Sequence, residues 1–409
     1  MTSLLDGLDD LLPQLHDTYR DLHANPELSG QEHRTAALAA AGLRERGYEV
    51  TENVGRTGVV GVLRNGDGPV VLLRADMDGL PLREDTGLPH ASTNGVMHAC
   101  GHDVHITCAL GAADLLARHR DAWSGTLLIV LQPAEEIGAG ARWMLDDGFL
   151  DRFPRPDVCL GQHVGPLPAG VVTVRPGTMM AAADTFTVRL FGRAGHGSTP
   201  ERTIDPIVMA ASVVLRLQTV VSREVGAHEQ AVVTVGSLHA GEAANVIPDE
   251  AELKVNVRSF DPLVRQRVLD AVRRVVLAEA RASGAEREPE IVPLNAFPLT
   301  VNDTGATERV VTALREHGRV LRPMRFPLAG SEDFGLFGTE AGCPSVYWFV
   351  GGADHALFSP EDLERLDDGV LPAGVASNHN TRFAPVLDPT IRDGVVNLVV
   401  AAAEWLSRK

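Results

Sequence analysis

Three short apolar runs, each ending in groups that bind metal ions or move protons, constrain this chain more than any other feature. They are "GPVVLLRADMDGLP" (68–81), "SGTLLIVLQPAEE" (124–136) and "PDVCLGQHVG" (156–165). Each is too short for a core helix and rich in Val, Leu and Ile, as a strand buried on both faces is. Pro133 cuts off the second run, and His163 is expected just past the end of the third. A small-residue helix, "VHITCALGAADLLARH" (104–119), separates the first two. Strand, polar loop, helix, strand is the pattern of an open α/β sheet, whose sites gather at the carboxyl ends of the strands.

Upstream, apolar spacing predicts helices near 8–22 and 32–46, then strands at "RGYEV" and "GVVGVLR". Beyond Gly177 the texture changes to alternation: "DTFTVRLFGRAG", "AVVTVGSLHAG" and "AELKVNVRSF" read as half-exposed strands, with helices at 205–218 and 262–283. "NAFPLTVND" (295–303) reads as the return linker. The expected fold is therefore α/β, a central mixed, mostly parallel sheet flanked by helices, with a smaller α+β domain inserted into it. The expected division is 1–181, 182–296 and 297–409, the first and last parts forming one domain.

The chemistry concentrates in polar loops. "MHACGHDVH" (97–105) places Cys100 and His102 two residues apart, so a loop or turn must present both to a common point. Alone it is ambiguous between a metal site and a small buried cysteine, with His98 and His105 orienting the loop. Glu135 and Glu136 side by side after a buried strand are costly unless a cation is near. With one, they divide the labour, one binding metal and the other taking a proton from water. A solvated acidic turn is the bland reading. Asp76, Asp78, His163 and His379 are further ligand types near strand ends or loops. Together the set suits two first-row divalent ions roughly 3.5–4 Å apart. His196 in "GRAGHGSTP" and Asn245 in "GEAANVIPD" read locally as turn residues.

The chain has 54 acidic against 37 basic residues, a formal charge of −17, which disfavours nucleic acid and anionic membrane as partners. Its four cysteines form no CxxC pair, so neither a disulfide framework nor a cysteine-rich zinc fold is expected, and the thiols are read as reduced. The first residues carry acid where a signal peptide needs base, and no apolar run looks long enough to span a bilayer. A cytoplasmic enzyme is the expectation.

In order, "LHANPELSGQE", "LRADMDGLP", "MHACGHDVH", "LQPAEE", "GQHVGPLPAG", "AGHGSTPERTIDPI", "ANVIPD" and "GSEDF", followed by a C-terminal histidine motif, span nearly the whole chain. This series resembles the two-domain, dinuclear metal-dependent amidohydrolases that include hippurate hydrolases, N-acyl-amino-acid amidohydrolases and indole-acetyl-amino-acid hydrolases, within the aminoacylase and carboxypeptidase superfamily. The resemblance implies hydrolysis of the amide of N-acylated amino acids. It implies two divalent ions (zinc, manganese, cobalt or nickel) held by Cys100, His102, Glu136, His163 and His379, with Cys100 bridging and Glu135 as general base and acid. It makes the inserted domain a lid that also dimerises, giving a homodimer or tetramer, with His196 reaching a neighbouring subunit's site. Asn245 and Arg258 are implied near the substrate, Arg258 at its carboxylate, with Asp78 orienting a ligand histidine and Asp103 and Asp333 in support. The chain departs from the family pattern in two places: Glu201 follows Pro200 where histidine is usual, and "HNTRFAPV" lacks the usual proline and acid after His379. His379 remains the candidate over His355 in "GGADHALF". The competing readings are a dipeptidase or carboxypeptidase on the same scaffold, and a catalytically silent metal-dependent binding protein.

Overall fold

The structure, a computed structural model, describes residues 2–406. The described chain divides into two compact units: residues 2–179, 300–327 and 333–406 form the first, and residues 180–299 with 328–332 form the second.

The first unit is built on an eight-stranded sheet. Its order is Glu49–Val54, Gly58–Asn65, Gly125–Gln132, Val70–Asp76, Val158–Pro168, Ser345–Ala353, Val171–Val174, Val320–Pro323. The four strands from Gly125–Gln132 to Ser345–Ala353 run parallel, and antiparallel pairings flank them on both sides. Leu127–Gln132, Val71–Asp76 and Val158–Val164 are buried without a break, which is why they read as continuous apolar runs. Register places the site. Asp76 pairs with Gln132, Arg74 with Gly161, and His163 with Phe349, so Asp76, Gln132 and His163 lie at about one level across three neighbouring strands. His163 therefore sits within the Val158–Pro168 strand and not past its end, because pairing with Ser345–Ala353 carries the strand on to Pro168.

Helices Leu8–Ala24, His102–Arg118 and Leu387–Leu406 pack into the same core. Helix His102–Arg118 is buried from His102 to Leu116, and its many small residues permit that close approach: a Cβ on Gly111 would meet Val395 at 2.6 Å. "NAFPLTVND" is more ordered than a linker. Asn295–Phe297 ends one strand, and Thr300–Asn302 forms a second that pairs with Gly177–Met180.

The second unit has a four-stranded antiparallel sheet ordered Ala231–His239, Glu250–Ser259, Ala182–Phe191, Glu290–Phe297. Ala251, Leu253, Val255 and Val257 are buried on one face, where they meet the apolar rows of helices Pro206–Glu224 and Pro262–Ala282. Both helices start the same way. Asp205 and Asp261 cap the first free N–H groups, and a proline with pre-set φ follows. Among the described residues, Pro206–Glu224 is the one helix long and apolar enough to cross a bilayer. Met209, Val213, Leu217 and Val220 on it are buried in the unit's own core.

Candidate metal centre

Cys100 and His102 are separated by Gly101, which takes the left-handed φ of 82° and sits directly before the first residue of helix His102–Arg118. A side chain there would also strike Val164, whose Cγ1 is 2.2 Å from the position of a Cβ. Only glycine meets both demands. The turn brings the Cys100 Sγ to 3.4 Å from His163 Nε2. His163 donates its Nδ1–H to the Val164 carbonyl at 2.8 Å, which leaves Nε2 as the lone-pair nitrogen.

Pro133 ends the neighbouring strand, and Ala134 adopts a φ of 50° to turn Glu135 and Glu136 into the same pocket. Asp78 holds that turn by accepting the Glu135 and Glu136 N–H groups at 3.2 and 3.0 Å. Its Oδ1 also lies 3.2 Å from His102 Nδ1, and its Oδ2 accepts the Ser29 hydroxyl at 2.6 Å. His102 Nε2 then lies 3.7 Å from Asp76 Oδ2 and 4.0 Å from a carboxylate oxygen of each of Glu135 and Glu136. His379, also at positive φ, brings its Nε2 to 3.3 Å from Glu136 Oε2. At 54 % side-chain exposure it stands on the open side of an otherwise buried group. Candidate ligand atoms of Cys100, His102 and His163, of Cys100, Glu136 and His379, and of His102, Glu135 and Glu136 lie within 4.8 Å of one another in each set.

These residues fit a cation. His102 Nε2 and Glu136 Oε1 are buried without a hydrogen-bond partner, a costly state for two polar atoms facing each other. Burial alone would lower the His102 pKa, yet Asp76, Asp78 and Glu136 raise it to about 10. Asp78 is held below the usual carboxylate range; burial opposes this, and His102 and Ser29 overcome it. The pocket carries surplus negative charge that divalent ions would neutralise, and the sulfur, imidazole and carboxylate donors suit first-row metals.

Other residues singled out in the sequence support this group from outside it. Asp103 accepts from Val104 N–H and from His23, whose other ring nitrogen meets Glu84 at 3.0 Å. His105 bridges Asp76 at 2.5 Å and the Val164 N–H at 2.8 Å. His98 is fully buried, and burial lowers its pKa to about 4. Asp333 accepts from Gln132 at 2.6 Å, from the Ala141 N–H at 3.0 Å and from Arg74 at 3.3 Å.

Two contributors escaped the sequence reading. Arg74 is buried under the sheet end and spans Gln132, Asp76 and Asp333. Glu32 accepts from the Gly30 and Ala134 N–H groups and the Thr57 hydroxyl, pinning the Glu135 turn. The signals were an arginine inside an apolar strand and a glutamate at the end of "LSGQE".

His196, Asn245 and Arg258 belong to the second unit. His196 pairs with Val246 in a short ladder and is exposed, its Nδ1 bonded to the Ser198 hydroxyl at 2.7 Å. Asn245 lies beside it, its carbonyl accepting the Gly197 N–H at 2.8 Å. Arg258 donates to the Ala329 carbonyl at 2.5 Å and to Ser331 Oγ at 3.2 Å.

The family profile described as peptidase family M20/M25/M40 matches residues 72–381. The chain belongs to this peptidase family. Among M20 relatives, the N-acetyl-L-cysteine deacetylase of Bacillus subtilis is 42% identical over 359 residues, covering 87% of this chain and 84% of that one. The thermostable carboxypeptidase 2 of Saccharolobus solfataricus is 38% identical over 338 residues, covering 81% and 84%. The crystal structure of a dinuclear metal-binding M20 peptidase from Bacillus subtilis superposes with a TM-score of 0.77 at 31% identity, covering 96% of this chain and 98% of that one.

Proposed function

We propose that this M20 protein uses two divalent ions to hydrolyse the amide bond of N-acylated amino acids, yielding a carboxylic acid and a free amino acid. The observation that carries the reading is the buried, partnerless pair His102 Nε2 and Glu136 Oε1, 4.0 Å apart beside Cys100 and His163.

Cys100, His102, Glu136, His163 and His379 would hold the ions, Cys100 as a thiolate, with zinc, manganese, cobalt or nickel as candidates. When bound, the ions supply Lewis acidity, which lowers the pKa of water and polarises the acyl carbonyl. Glu135 takes the proton of the attacking water and delivers it to the leaving nitrogen. Asp78 keeps His102 in its orientation through Nδ1. Arg258 receives the substrate carboxylate by charge-assisted hydrogen bonds, with Asn245 beside the substrate. His196 acts on the developing oxyanion of a neighbouring subunit, in a homodimer formed through the second unit. Asp103 and Asp333 support the ligand loops through their hydrogen bonds. The acidic chain and its free thiols support a cytoplasmic setting without nucleic acid.

The deacetylase relative supports an N-acyl substrate, and the carboxypeptidase relative supports a second reading in which a peptide is cleaved by the same machinery. Enzyme loaded with each metal in turn and offered N-acetyl, N-benzoyl and indole-acetyl amino acids beside dipeptides separates the two. Faster turnover of the N-acyl series is expected. Cleavage of peptides alone would establish the second reading, and no cleavage with any metal would leave a silent binding protein.

A further inference from the structure

The four cysteines are scattered in sequence, but the fold brings two of them together far from each other along the chain. Cys159 and Cys343 are 184 residues apart, and their Sγ atoms are 3.7 Å apart. Both are free thiols; Cys159 is buried and Cys343 half-buried. The backbone fixes each side. Cys159 is the second residue of the Val158–Pro168 strand and donates its N–H to the Pro344 carbonyl at 2.9 Å. Cys343 follows Gly342, which has a φ of 66°, and donates to the Gly338 carbonyl at 3.0 Å. Arg155 braces the same turn, binding the Ala341 and Glu340 carbonyls at 2.8 and 3.1 Å. A disulfide needs about 2.05 Å between sulfurs. The two sulfurs must therefore close roughly 1.7 Å to bond.

We propose that Cys159 and Cys343 form a redox-modifiable dithiol that a peroxide oxidises to a disulfide. The Cys343 sulfur attacks one peroxide oxygen, the O–O bond breaks, and with hydrogen peroxide one water leaves and Cys343 becomes a sulfenic acid. The Cys159 sulfur then attacks the Cys343 sulfur. The S–O bond breaks, the departing hydroxide takes the Cys159 proton as a second water, and the S–S bond forms. Two thiols and one peroxide thus give one disulfide and two waters, and a small-molecule dithiol returns the pair to thiols.

The order of attack follows from the surroundings. Cys343 is the more accessible sulfur, and the hydrogen bond with Cys159 lowers its pKa, with Arg155 adding to the effect against burial and Asp157. The same hydrogen bond, together with burial, raises Cys159. The accessible sulfur with the lowered pKa is the one that meets the oxidant first, and the buried one resolves it. This site lies outside the ligand set, so it stands whether or not the proposed hydrolysis does.

The test treats metal-loaded full-length protein with one equivalent of hydrogen peroxide, blocks remaining thiols under denaturing conditions, and maps peptides without reduction. The expected product is a peptide pair joined through Cys159 and Cys343, absent in C159S and C343S and released by dithiothreitol. With C159S, dimedone should label Cys343 as the trapped sulfenic acid. Recovery of both cysteines as blocked thiols in wild type, or of Cys343 as a sulfinic acid beside a blocked Cys159, would overturn the proposal. So would absence of the dimedone adduct on Cys343 in C159S.

Discussion

Replacing Gly101 with alanine tests whether the left-handed turn between Cys100 and His102 is what assembles the ligand group. Two separate costs apply. A φ of 82° costs an L-residue about 1–2 kcal/mol. The new Cβ would lie 2.2 Å from Val164 Cγ1 and 3.4 Å from Phe383, and overpacking of that kind typically costs about 1–3 kcal/mol. Together they predict a loss of about 2–5 kcal/mol. Val164 separates the terms, because its Cβ is 3.8 Å from the added atom, so truncation to alanine removes the clash and leaves the backbone cost. In a Val164→Ala background, Gly101→Ala should therefore cost only about 1–2 kcal/mol. Urea unfolding of metal-free protein measures this cleanly. All four tryptophans, Trp123, Trp143, Trp348 and Trp405, lie in the first unit, so intrinsic fluorescence follows that unit alone. A Gly101→Ala variant within about 0.5 kcal/mol of wild type, or an equal cost in both backgrounds, would refute the reasoning.

Glu135→Gln should lower kcat by about 10²–10⁴ while metal content measured by mass spectrometry stays unchanged; near-normal turnover would remove Glu135 as the base. If His196 serves the neighbouring subunit, mixed dimers of His196→Ala and Glu135→Gln chains should recover part of the activity, and verified heterodimers without recovery would rule this out. Burial opposes protonation of His23, but Asp103 and Glu84 hold its pKa up at about 9 against 6.5. Its contribution to stability, roughly 3 kcal/mol, is thus full below about pH 6.5 and lost as pH rises through about 9. The stability difference between wild type and His23→Gln should shrink over that window in urea titrations; a constant difference would show that His23 is not charged in the fold.

What the sequence made legible is local. Periodicity exposes Val70–Asp76 and Gly125–Gln132 as buried strands, and the family resemblance of the motifs implies Cys100, His102, Glu136, His163 and His379, which the fold gathers into overlapping clusters. Register is not local, and the misses follow from that. His163 lies inside its strand because Ser345–Ala353, nearly two hundred residues later, pairs along it. Arg74 looks like a charge interrupting an apolar run until Asp333, 259 residues away, is placed beside it. The strand Thr300–Asn302 was hidden because its partner, Gly177–Met180, precedes it in the chain by about 120 residues, most of them the inserted unit. Cys159 and Cys343 were hidden for the same reason.

That insertion also bears on how the chain is made. Val158–Pro168 finds its central neighbour only when Ser345–Ala353 has been synthesised, and positions Cys159 and Cys343 mark a gap of 184 residues. At about 5–20 residues per second, a ribosome needs roughly ten to forty seconds to cross it. Throughout that interval the Val158–Pro168 strand offers an unpaired apolar edge, the kind of surface that chaperones cover. Most of the second unit emerges within the same interval, so it has time to fold while the older sheet waits for its last strands.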